Sequence, residues 1–233
     1  MVERGGVHFF LFGDCLIRVP TEDLAPKFGS VLLARHLPLQ PGDMVLDLGA
    51  GAGLIGILAA RRGHRVVATD LVPAYVDCLR ANALLNGVAA LLDARTGDLF
   101  DPVRADAFDV IAANPPQMPT PPDREWSDPQ SRMDNGGPDG WLLVDRIIRE
   151  SPLHLKPGGR LVFTLFGFLG IERGMQRLRD VGLEPRVVAR DEQPFPRLAR
   201  ERLEYIRSVS PESASLTGRP PTCPRLVLCG RKE

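Results

Sequence analysis

The sequence predicts an α/β fold: a mostly parallel sheet with helices on both faces. Three observations carry this. From residue 45 onward, short runs rich in Val, Ile and Leu alternate with amphipathic stretches, the pattern of repeated βαβ units. The runs are continuous rather than alternating, as expected of strands covered on both sides. The first of them leads straight into a glycine loop and a helical stretch, VLDLGAGAGLIG over residues 45–56. That is how a strand, a tight turn and a helix N-terminus look in sequence. With 233 residues, 44% hydrophobic and 25% charged, the chain can bury a sizeable core as one large domain or one domain with an extension.

The elements follow in order. Val7–Phe12 and Cys15–Val19 flank Gly13-Asp14 and predict a hairpin, with Phe9, Phe10 and Phe12 as its core residues. Residues 31–37 form a short helical pattern stopped by Pro38, and Pro41-Gly42 turns the chain into strand 45–48. Helix 54–62 follows the glycine loop, with Gly63 placed to end it. Strand 65–69 ends at Asp70, helix 73–86 follows, and residues 91–93 are a weak strand before Gly97-Asp98-Leu99. Phe108–Ala113 predicts a buried strand ending in Asn114-Pro115-Pro116-Gln117. No periodicity is visible from there to Asp134, and a loop of that length inside a compact domain points to function or disorder. Helix 141–155, a Pro-Gly-Gly turn, strand 160–166, helix 171–181 and strand 184–189 continue the alternation. Leu203–Val209 reads as strand or short helix, residues 210–224 as loop and 225–229 as a final strand.

Composition narrows the function. The formal net charge is zero, so nothing argues for nucleic acid as an obligatory partner. Cys15, Cys78, Cys223 and Cys229 show no metal or disulfide spacing, and the four histidines are scattered, so no metal is expected. No run is long enough for a membrane span or a signal peptide, which predicts a cytoplasmic protein.

The glycine loop reads as a cofactor cradle. Glycines let the backbone turn sharply and let a ligand come close, and the helix behind offers free N–H groups. Gly51, Gly53 and Gly56 also spell the dinucleotide fingerprint. Asp70, about 20 positions on, can accept two hydrogen bonds from a ribose diol, or serve as a turn or cap residue. Ligands of parallel sheets bind beyond the carboxyl ends of the strands, which predicts one rim holding the segments after Leu48, Asp70, Asp98 and Asn114.

At these residues the chain resembles the class I S-adenosylmethionine (SAM)-dependent methyltransferases, and among them the branch with an N-P-P motif: the HemK-type glutamine methyltransferases and their small-domain relatives. The resemblance covers roughly residues 28–188. Asp47 with Gly49, Gly51 and Gly53 matches the donor loop, and Asp70 the ribose ligand. Gly97, Asp98 and Leu99 match the segment whose carboxylate faces the adenine. Asn114, Pro115 and Pro116 match the acceptor motif, and Gly136, Gly137, Asp139 and Gly140 a downstream G-G-x-D-G. The resemblance implies a Rossmann-like seven-stranded sheet in residues 28–233, a hairpin or lid extension in residues 1–27, and SAM as cofactor. An acid at Asp47 suits the cationic donor and would oppose a pyrophosphate. Two departures stand out. Gln117 occupies the place of the usual aromatic, and no substrate-holding helical domain fits in the roughly 45 residues before the opening strand.

The implied reaction is methyl transfer to a planar nitrogen, amide or heteroaryl, of a protein side chain or small metabolite. Asn114, Pro115, Pro116 and Gln117 are the candidate catalytic residues. The Asn114 side-chain oxygen and the Pro115 carbonyl are expected to accept the acceptor's N–H groups and orient it, and Gln117 to favour a polar acceptor. Trp126 or Trp141 offers an aromatic wall, and Glu201, Glu204 and Tyr205 are further candidate contacts. The alternatives are an O-, S- or C-methyltransferase of small-molecule biosynthesis, a SAM-binding partner without turnover, and a nicotinamide oxidoreductase.

Overall fold

The computed structural model describes residues 2–4, 6–124, 133–216, 218 and 220–233. Strands β1 (Val2–Arg4), β2 (Val7–Phe12) and β3 (Cys15–Val19) form a small antiparallel sheet. The main sheet has seven strands: β4 (Met44–Leu48), β5 (Arg65–Asp70), β6 (Leu92–Thr96), β7 (Phe108–Ala113), β8 (Leu155–Phe166), β9 (Leu183–Pro194) and β10 (Thr222–Lys232). Their order is β6-β5-β4-β7-β8-β10-β9. Strands β4 to β8 pair in parallel, and β10 runs antiparallel between β8 and β9. The chain moves outward from β4 to β6, then crosses back to β7 on the other side of β4. That reversal makes the carboxyl ends of β4 and β7 the switch point, where sheets of this kind bind their ligands.

The helices are α1 (Phe28–His36), α2 (Leu54–Arg61), α3 (Pro73–Leu85), α4 (Leu142–His154), α5 (Ile171–Asp180), α6 (Arg197–Glu201) and α7 (Leu203–Val209). Neighbouring residues along each strand feed opposite faces. Val45, Val66, Val110, Val162 and Val227 pack with Leu33, Ile57 and Leu79 of α1, α2 and α3. Leu46, Val67, Ile111, Phe163 and Leu228 pack with Ile147, Leu178 and Ile206 of α4, α5 and α7. Buried residues on both faces are why the strand runs lack polar alternation.

The hairpin extends the first of these layers. Cys15, Ile17 and Val19 are buried, while Phe10 and Phe12 are half-buried against the core. Two asparagines one helical turn apart, Asn82 in the last turn of α3 and Asn86 at its C-cap, tie β3 down. Asn82 accepts the Arg18 N–H and donates to the Arg18 carbonyl, and Asn86 does the same for Leu16. Each side-chain amide thus stands in for a neighbouring strand.

The edge ribbon exceeds the sequence expectation. The β9–β10 pairing runs from Leu183↔Lys232 to Pro194↔Thr222, with a register shift at Val227/Leu228. Arg190, Asp191 and Glu192 look like loop residues because an edge strand leaves one side wet. Leu203–Val209 is helical, and the short α6 before it carries no signal of its own in the sequence.

Candidate active site

The strand register sets the rim. Leu48 lies opposite Thr69 and Ala113, and Asp70 opposite Thr96. The segments that begin at Gly49, Leu71, Gly97 and Asn114 therefore leave the sheet side by side.

The glycine loop is shaped by backbone bonds. The Gly49 and Ala50 N–H groups both donate to the Thr69 carbonyl at 2.9 Å. Gly51, at φ +54°, donates its N–H to Asp70 Oδ2 at 2.8 Å. Gly53 has φ +93°, and a Cβ there would sit 2.1 Å from Leu79 Cδ1. Both positions are closed to ordinary side chains, one by backbone conformation and the other also by space.

Asp47 lies beneath this loop, 1% exposed. Its Oδ2 accepts the Gly56 N–H at 2.8 Å, so the carboxylate satisfies one of the open donors of α2's first turn. A Cβ on Gly56 would press on that oxygen at 3.1 Å and on Val66 at 3.2 Å, making Gly56 a packing glycine. Oδ1 is buried without a hydrogen-bond partner. Burial pushes the carboxyl up to about 7, against the Gly56 hydrogen bond and with help from nearby Asp70. An orphaned acid oxygen under a glycine cradle fits a cationic group and disfavours a pyrophosphate.

Asp70 takes Gly51 N–H on one oxygen and Val72 N–H at 3.0 Å on the other, with lone pairs left for hydroxyl donors. Burial raises its pKa, and those amides oppose the rise. Asp98 pairs with Arg146 of α4 at 3.0 Å and stays partly exposed. Leu99 has φ +42°, the one left-handed non-glycine residue among those described. Backbone strain of this kind concentrates at functional sites. Its carbonyl accepts the Thr69 hydroxyl at 3.3 Å.

The rim at the end of β7 is built from side chains. Asn114 Oδ1 accepts the Thr164 hydroxyl at 2.6 Å and Arg225 Nη2 at 2.8 Å, and Asn114 Nδ2 donates to Ser30 Oγ at 2.9 Å. Pro115 and Pro116 stiffen the exit from β7. Gln117 turns inward rather than toward an acceptor. It is 2% exposed; its Oε1 accepts the Phe166 N–H at 2.8 Å, and its Nε2 donates to the carbonyls of Thr164 at 3.0 Å and Pro115 at 3.2 Å. The residue that replaces an aromatic thus laces the motif to β8. Gly136 packs so tightly on it that a Cβ there would meet the Gln117 Cα at 2.5 Å.

Trp141 is no pocket wall: it is 1% exposed, with the Arg177 guanidinium 4.2 Å from its ring centroid. Trp126 lies outside the described residues, as does part of the aperiodic segment 117–134. Glu201, Glu204 and Tyr205 line a groove of about 430 Å³ with Pro121, Asp123 and Arg124, next to the segment that follows the motif. Sequence reasoning missed Ser30, Arg146, Thr164 and Arg225. Each lies in an unremarkable helix or strand pattern, and only the sheet order brings Thr164 and Arg225 to Asn114. Among the described residues no helix is long and apolar enough to cross a membrane, and no His, Cys, Asp and Glu cluster could hold a metal.

Comparison with known proteins agrees with this geometry. Residues 25–120 match the methyltransferase small-domain family. The chain is 33% identical over 183 residues to a provisionally named protein N5-glutamine methyltransferase of Methanocaldococcus jannaschii, covering 78% of this chain and 91% of that protein. It is 35% identical over 164 residues to the release factor glutamine methyltransferase of Cereibacter sphaeroides, covering 66% of this chain and 58% of that longer protein. A methyltransferase structure from Pyrococcus furiosus superposes with a TM-score of 0.58 at 16% identity, covering 98% of this chain and 90% of that one, a likeness of fold. The chain belongs to the HemK-type, small-domain branch of the class I methyltransferases, a family that uses S-adenosylmethionine.

Proposed function

We propose that this enzyme methylates the side-chain amide nitrogen of a glutamine in a protein substrate. The observation that carries the reading is the placement of Asn114-Pro115-Pro116 beside the glycine cradle, with relatives named for glutamine methylation. In this reading Gly49, Gly51 and Gly53 admit the donor. Asp47 Oδ1 faces its cationic end, Asp70 takes the ribose hydroxyls, and Asp98 with Leu99 borders the adenine. When bound, SAM supplies an electrophilic methyl group for in-line transfer.

The protein's task is to hold the acceptor nitrogen about 3 Å from that carbon and to orient its lone pair. The Pro115 carbonyl has one lone pair engaged by Gln117, which leaves one for an acceptor N–H. Both acceptor positions of Asn114 Oδ1 are filled, but the Thr164 hydroxyl is a rotor and can yield its place to a substrate N–H. Two carbonyl dipoles aimed at the nitrogen favour the positive charge that develops on it. With the methyl group received from SAM, the acceptor nitrogen would shed one proton to water, and the Asn114 and Pro115 oxygens would hold it until then. The groove at Glu201, Glu204 and Tyr205 gives the flanking polypeptide a polar surface. Residues 1–27 are read as an extension to the 28–233 methyltransferase domain, with β3 a fixed wall rather than a moving lid.

The test is transfer of the methyl group from SAM to a bacterial release factor, read by mass spectrometry as a gain of about 14 Da on one glutamine, the mass of CH₃ replacing H in the transfer chemistry. Labelling confined to small metabolites would refute the protein-glutamine reading.

A further inference from the structure

We propose that Arg225 is a positioning residue of the acceptor site, whose guanidinium holds the Asn114 amide in one of its two flip states. The inference rests on the role given to Asn114 above.

Arg225 lies near the start of β10, 111 positions from Asn114 in sequence, and is 4% exposed. Its Nη2 donates to Asn114 Oδ1 at 2.8 Å and to Thr164 Oγ1 at 2.7 Å. Nε and Nη1 are buried without hydrogen-bond partners. The guanidinium carbon lies 3.9 Å from the Phe166 ring centroid. Burial pulls the side chain down to about 9, while Cys223 and Asp134 oppose that fall. A cation in this position is a burden on the fold, because two of its donors are desolvated without hydrogen-bond partners. Apolar replacement of buried charges is often neutral or stabilising. Something other than stability keeps an arginine here.

The amide it touches supplies the reason. The oxygen and nitrogen of an asparagine side chain are nearly the same in shape, and its partners decide which way it lies. Ser30 and Thr164 are hydroxyls, which donate or accept and would serve either flip. A guanidinium only donates. Of the three partners of Asn114, Arg225 is the one that cannot face the amide nitrogen, so it sets Oδ1 toward β10 and Nδ2 toward Ser30. A second feature keeps this contact in place. Gly29 of α1 roofs it: a Cβ there would lie 2.6 Å from Asn114 Oδ1 and 2.7 Å from Arg225 Nη2.

The experiment compares Arg225→Met, Arg225→Gln and Arg225→Lys in the full chain by four readouts. These are melting temperature, SAM affinity by calorimetry, methyl transfer to a release factor, and the Asn114 Nδ2 resonance in ¹⁵N-asparagine-labelled protein. Arg225→Met should melt no lower than wild type and bind SAM within about twofold, with kcat down about 10- to 100-fold, the scale expected of a misplaced reacting group. Arg225→Gln, which can face either way, should behave like Arg225→Met. Arg225→Lys, a donor-only cation, should restore both the Nδ2 resonance and much of kcat. Wild-type turnover with an unmoved resonance in Arg225→Met overturns the proposal. So does a melting temperature that falls in step with activity and is not rescued by lysine, which is the mark of a packing role. If wild-type enzyme leaves release-factor glutamine unmodified while the resonance follows the donor rule across the three variants, the substrate reading fails and the positioning role stands.

Discussion

The two halves of the site are made in opposite ways. The proposed donor half is nearly continuous in sequence, from Asp47 to Leu99, and is drawn with backbone: Gly49 and Ala50 to Thr69, Gly51 to Asp70, Gly56 to Asp47. The proposed acceptor half gathers Ser30, Asn114, Thr164 and Arg225 from a helix, the segment that follows β7 and two strands, and it is drawn with side chains. A backbone cradle tolerates change in most side chains but not in its glycines. A side-chain network depends on each of its members. The difference suits an enzyme family with one donor and many acceptors.

The largest effect should come from breaking the acceptor half. Asn114→Ala is expected to lower turnover on the order of 10²-fold or more, the cost of losing one preorganised polar group, while SAM affinity by calorimetry stays within about twofold of wild type. An equal fall in donor affinity would erase the division between the halves. Gly53→Ala attacks the other side. The new Cβ meets Leu79 and the φ of +93° is strained, so a loss of about 1–3 kcal/mol in unfolding free energy is expected. It should come with weaker SAM binding; denaturant melts and calorimetry check both.

Asp47 gives a pH test. Its folded pKa of about 7 lies above the ordinary carboxylate value of 3.8. The folded state therefore holds a proton that the unfolded state has lost between those values, and this group makes stability fall as pH rises from about 4 to 7. Asp47→Asn should flatten that fall, seen by thermal melts across pH 4–8. A cation beside Oδ1 would favour the ionised form, so SAM affinity of the wild type should rise with pH over the same window. An unchanged slope in the variant would show that Asp47 is not the titrating group. The smallest effect is expected at the groove. Glu204→Gln should change stability by less than about 0.5 kcal/mol, as exposed positions do, and should alter only KM for a protein substrate.

The glycine loop, Asp70 and the Asn114-Pro115-Pro116 turn were legible because each depends on its neighbours in the chain. A strand, a turn and the next helix write their needs into consecutive residues. Asp47 was legible as an acid but not as a helix anchor, because its partner Gly56 comes within reach only after the loop folds back. Gln117 was misplaced for a similar reason: its bonds go to β8, some fifty residues away. The polar end of β9 extends beyond the predicted strand 184–189 because an edge strand has no second covered face to announce it.

From the sequence by itself came the alternating architecture, the glycine loop and the branch to which the enzyme belongs. These rest on local steric rules and on a hydrophobic period that repeats along the chain. The tertiary structure decided which side chains surround Asn114 and which way its amide lies. The reversed β10 is inserted between β8 and β9, so Arg225 reaches the motif through strand order, and nothing local in its sequence marks that contact.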